Sequence, residues 1–81
     1  MMKHNLREIS QIAKNFIIHD LKGDAGTLEP MKTKYDTVNA IWEVKYDFHK
    51  ESSKMWTSAS LIINDDTGNV TGFDVEESDR K

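Results

Sequence analysis

The 81-residue sequence predicts an α+β fold in which one N-terminal helix packs on a three-stranded antiparallel β-meander. Three observations carry that expectation. Apolar residues recur at helical spacing over residues 6–21. They alternate with polar residues over 37–48 and 55–64. A hairpin-type turn then leads from the second of these runs into a third, at 69–75.

The helix comes first. Leu6, Ile9, Ile12, Ala13, Phe16, Ile17 and Leu21 fall on one face, with Arg7, Glu8, Gln11, Lys14 and Asn15 opposite. Asn5 is a favourable N-cap, and Glu8 three residues on completes the pattern of a capping box. Gly23 suits the left-handed residue that commonly follows a helix. Residues 22–36 hold no period and are punctuated by Gly23, Gly26 and Pro30, which reads as a long connection tacked to the core by Leu28 and Met31.

In the first strand, 37–48, Val38, Ala40, Trp42, Val44, Tyr46 and Phe48 share a side. A polar loop, 49–54, leads to the second strand, where Met55, Thr57, Ala59, Leu61 and Ile63 share a side. Asp65-Asp66-Thr67-Gly68 has the composition of a type I turn followed by a left-handed glycine. That turn sets Ile63 opposite Thr71, Leu61 opposite Phe73 and Ala59 opposite Val75. Pairing Phe48 with Met55 in the first hairpin sets Trp42 by Leu61 and Val44 by Ala59. The expected core is Leu6, Ile9, Ile12, Ala13, Phe16, Ile17, Trp42, Val44, Tyr46, Ala59, Leu61, Ile63, Phe73 and Val75. The same register places Ile41 beside Ile62 on the outer face, with Trp56 and Val70 nearby. These four residues are the candidates for contact with a partner protein or a second copy of the chain.

Composition narrows the function. The net charge of −3 lacks the basic face that nucleic-acid binding requires. Residues 55–81 carry six acids against Arg80 and Lys81, ending in an acidic tail, 76–81. No apolar run approaches the ~20 residues of a membrane-spanning helix. Residues 1–20 lack the apolar stretch of a secretory leader, which places the chain in the cytoplasm, with a trimmed leader left open by Met1-Met2.

The chemistry-bearing residues form no recognisable constellation. The chain has no cysteine. His4, His19 and His49 have no histidine three or four residues away, so no helical metal pair exists. The stretch Asn64–Asn69 lacks the alternating ligand pattern and distal Glu of a calcium loop, and turn formation explains its residues. No serine sits in a nucleophile elbow. The expectation is a non-enzymatic module with no catalytic residues, cofactor or metal, either a binding and regulatory domain or a homodimeric assembly protein.

Two segments carry a family resemblance. Trp42-Glu43-Val44 lies in a strand, and Ile63-Asn64-Asp65-Asp66-Thr67-Gly68-Asn69-Val70 runs from a strand into a hairpin. With the preceding helix and long connection, residues 6–75 resemble a PepSY-type domain, in which a W-x-V strand is followed by a D-x-x-T-G-x-V-like hairpin. The resemblance implies a small non-catalytic α+β module associated with inhibition or regulation of peptidases, usually outside the cytoplasm. The chain departs from that pattern in showing no leader or membrane anchor. Gas-vesicle accessory proteins show a weaker similarity over the same strand and hairpin.

Overall fold

The computed structural model describes residues 2–53 and 55–77. Helix α1 spans Leu6–His19, followed by a short 3-10 turn, Ala25–Thr27. Four strands follow: β1 Glu29–Asp36, β2 Ile41–His49, β3 Trp56–Asn64 and β4 Val70–Glu77. They form one antiparallel sheet in the order β1-β2-β3-β4. The fold is therefore α+β with one helix on a meander, and the meander has four strands rather than three.

The helix begins as its sequence dictates. Glu8 N–H donates to the Asn5 side chain at 2.8 Å, and Asn5 N–H donates back to the Glu8 carboxylate at 2.9 Å. Ile9, Ala13 and Ile17, four residues apart, are its fully buried stripe. The helix stops at His19 rather than Leu21, and Gly23 does not supply the left-handed residue, a conformation Lys22 takes instead (φ 59°). Gly23 is needed for space. A Cβ there would stand 2.6 Å from Ile17 Cγ2 and 2.9 Å from Phe48 Cδ2. Gly23→Ala is therefore expected to destabilise the domain by ~1–3 kcal/mol through overpacking, measured as a drop in the midpoint of urea unfolding. An unchanged midpoint would mean that Ile17 and Phe48 yield freely.

The added strand, β1, lies inside the segment read as a connection. Its pairing with β2 breaks register between Pro30 and Lys32, so alternation is interrupted, and only its end, Tyr35, packs against the core. An edge strand with a proline, a bulge and two lysines carries little apolar signal, since such residues blunt an exposed edge. At the other end of that segment, Thr37–Ala40 is a turn and not the start of a strand. Asp36 accepts from the N–H groups of Val38 and Asn39, Val38 is 89% exposed, and Ala40 is left-handed (φ 52°). The apparent alternation of Val38 and Ala40 was a coincidence of turn composition.

Both hairpins keep the expected faces, except where a bulge in the second turns Val70 toward the helix. In the first, Trp42 pairs with Ile63, Val44 with Leu61 and Tyr46 with Ala59, two residues away from the expected register. A two-residue shift preserves the pleat, so apolar residues meet in either register. The observed pairing also sets Ser58 opposite Asp47, with Ser58 Oγ donating to Asp47 Oδ1 at 2.6 Å, and His49 opposite Trp56. It leaves Met55 outside the ladder and 54% exposed. In the second hairpin, Leu61–Phe73 and Ala59–Val75 pair as expected, and Gly68 is left-handed (φ 76°). A bulge at Thr71 then pairs Ile63 with Val70 instead of Thr71.

The core comprises Ile9, Ala13, Ile17, Trp42, Val44, Tyr46, Phe48, Ala59, Leu61 and Ile63, with Ile12, Phe16 and Val75 packed at its margin. Two expected members are outside it: Leu6 and Phe73 are each 57% exposed. Leu6 sits in the first turn of the helix. Phe73 lies on an edge strand, its ring tilted against Phe16 at a centroid distance of 5.2 Å. Of the expected acidic tail, Glu76 and Glu77 end β4, and 78–81 lie outside the described residues.

Candidate contact surface and the Asp65 centre

The outer face of the sheet is built from the residues that alternate with the core. Across the strands it presents the rows Glu29–Asp47–Ser58–Glu76, Lys32–Lys45–Ser60–Asp74 and Lys34–Glu43–Ile62–Gly72. No element among the described residues covers it. Most of this face is polar, as is usual for the side of an antiparallel sheet away from the core, but Asp47 and Ser58 at one end of it are buried.

The four candidate contact residues do not form one cluster. Ile41 pairs with Asn64 and Ile62 with Glu43, so the two isoleucines are diagonal neighbours rather than opposite one another. Trp56 begins β3, six residues from Ile62, about 20 Å at ~3.4 Å per residue. There it meets the His49 ring edge-on at 4.2 Å. Val70 is on the other face, because the Thr71 bulge turns it toward the helix, where it packs against the core. The outer face thus keeps three of the four, half-buried, at its two ends.

The most developed polar arrangement lies elsewhere, at Asp65, which is completely buried. The β3–β4 turn carries it beneath the start of the chain. Its carboxylate accepts from Lys3 N–H at 2.7 Å, His4 N–H at 3.0 Å, Trp42 Nε1 at 3.0 Å and Tyr35 Oη at 3.3 Å. Its own N–H donates to Ala40 O at 3.0 Å. The Asp65 carbonyl lies 2.6 Å from His4 Nδ1. A carbonyl can only accept, so Nδ1 carries the proton.

Burial alone would raise the Asp65 pKa, but donation from Lys3, Trp42, His4 and Tyr35 outweighs it and holds the carboxyl down at about 2. The Tyr35 hydroxyl shifts the opposite way, raised by desolvation and by the adjacent Asp65 charge. One carboxylate thereby fastens the N-terminal segment, β1, β2 and the last hairpin together. In the sequence this residue reads only as a turn former. The signal that points to it is Trp42, whose buried indole N–H requires an acceptor.

Comparison with known proteins gives no match to a family model, a curated protein or a solved structure. Among the described residues, no three His, Asp or Glu side chains are grouped to hold a metal ion. The Asp65 carboxylate faces donors of its own chain and presents no oxygen toward the solvent side of the loop that superficially resembles a calcium site. No helix among the described residues is long and apolar enough to cross a membrane.

Proposed function

We propose that the chain is a small protein-contact module of PepSY-like type, without a reaction of its own, which acts by presenting sheet surfaces to a partner. The observation that carries this reading is the contrast between interior and surface. Among the described residues, the one completely buried carboxylate is committed to four donors of the same chain, while Trp56, Ile41 and Ile62 stand part-exposed on a sheet face over which no described helix or strand packs. A general acid or base works best with a pKa near the operating pH, and Asp65 is held far below it. Aromatic residues with one polar and one apolar side, such as Trp56, are favoured anchors of protein interfaces.

The test is capture of cross-linked partners by the intact protein, compared with folded Trp56→Ala and Ile62→Lys variants. The expected result is one partner retained by the parent and lost, by about tenfold or more, from at least one variant. A partner bound equally by all three proteins would remove the outer face from the proposal. Turnover of a hydrolase substrate by the chain alone would overturn the non-enzymatic reading.

A further inference from the structure

The two edges of the sheet are unequal. β1 is blunted by Pro30, by the register break beside it and by Lys32 and Lys34. β4 has no proline and no lysine, and from Gly72 to Glu77 it pairs with β3 without interruption. Among the described residues, its outer backbone groups have no neighbouring strand in the sheet order.

The side chains along β4 are sorted by face. On the helix side, Phe73 is 57% exposed and rests on Phe16, with half-buried Val70 and Val75 on either side. A recess opens beside Val70 against Ile12 and Phe16, and a second beside Val75 against Met55 and Thr57. On the outer side stand Asp74 and Glu76, both exposed. Their cross-strand neighbours, Ser60 and Ser58, supply no counter-charge.

We propose that β4 is a docking edge for an extended peptide segment that alternates basic and apolar residues and adds to the sheet as a fifth strand. Main-chain hydrogen bonds along an open edge supply affinity, and pockets for alternate side chains supply specificity. The period of two along such a segment places its apolar residues beside Phe73 and over the flanking recesses. The same period places its basic residues beside Asp74 and Glu76. This proposal rests on the contact-module reading but not on its candidate residues, since it uses none of Trp56, Ile41 or Ile62 and takes from the outer face only the edge carboxylates Asp74 and Glu76.

The experiment is an NMR titration of the full chain with a capped peptide of about seven alternating Lys and Val residues, a usual strand length. Shifts and slowed amide exchange confined to Gly72–Glu77 are expected. Affinity is expected to fall by about tenfold or more in Phe73→Ser and in the Asp74→Lys, Glu76→Lys double variant. The double variant is expected to prefer a Glu/Val peptide instead. All substituted side chains are exposed, and retained near-ultraviolet signal from Trp42 checks folding.

Absence of binding at millimolar peptide overturns the proposal. So do shifts on the outer face alone, or concentration-dependent dimerisation lost in Phe73→Ser, which would make a second copy the occupant. If β4 fails while Trp56-dependent capture succeeds, the contact-module reading stands without this edge.

Discussion

Trp42→Ala is expected to leave the domain largely unfolded in buffer. The substitution removes a large buried aromatic from one end of an interior strand, a loss of ~3–5 kcal/mol. A domain of this size buries a smaller share of its surface than a larger one, and its whole stability lies near the low end of ~5–15 kcal/mol. Trp42 also contributes beyond its volume. Its ring packs on Tyr35 with centroids 4.9 Å apart, and its Nε1–H donates to Asp65 Oδ1. Trp42→Phe separates the two roles, because it keeps an aromatic ring while withdrawing one donor from a buried carboxylate. The expected order of stability, measured by chemical denaturation followed by far-ultraviolet circular dichroism, is parent, then Phe, then Ala. A Trp42→Ala protein as stable as the parent would place the indole outside the core.

The second large effect concerns Asp65. Its folded-state pKa of about 2 lies below its ordinary value of 3.8. The unfolded chain therefore binds a proton more readily than the folded one. The stability that follows is fully present above the ordinary value and is lost as pH falls from there through about 2. Asp65→Asn is expected to remove that component of the acid titration. It also replaces one carboxylate oxygen with an N–H₂ group, which cannot accept from the two donors on that side, Lys3 and Tyr35 on one oxygen or His4 and Trp42 on the other. The thermal midpoint at neutral pH should fall by about 10 °C or more, with a flatter profile between pH 4 and 2 than the parent shows. A variant that melts like the parent at neutral pH would mean that the donors facing the new amide find water or other acceptors.

The elements most legible in the sequence are those with a strong period and a clear end. Helix α1 announces itself through the Asn5–Glu8 capping box and the Ile9, Ala13, Ile17 stripe. The β3–β4 hairpin does so through Gly68 and the pairing of Leu61 with Phe73. Where two arrangements satisfy the same period, sequence pattern has no means to choose. The first hairpin is such a case, since shifting it by two residues keeps every apolar side chain on its face.

Strand β1 failed to declare itself for the opposite reason. Edge strands are stable through one ladder of backbone hydrogen bonds and need few buried side chains, so Lys32, Thr33 and Lys34 satisfy β1 while resembling a loop. The Thr71 bulge is equally silent, yet by adding one residue it moves Val70 from the outer face to the helix side. Asp65 was legible as a turn residue only. Its role depends on contacts with Lys3, His4, Tyr35 and Trp42, from 23 to 62 positions away, which no local pattern encodes.

The proposed division of labour, an interior fastened on itself and a function left to the surfaces, depends on the state of one carboxyl group. The decisive measurement is the carboxyl carbon shift of Asp65 by NMR, followed from neutral pH into strong acid. Titration near pH 2 is the expected result, with the Trp42 Nε1–H signal changing in the same step. Titration above its ordinary value would contradict it, because the group would then be available to exchange protons in the range that acid–base chemistry uses.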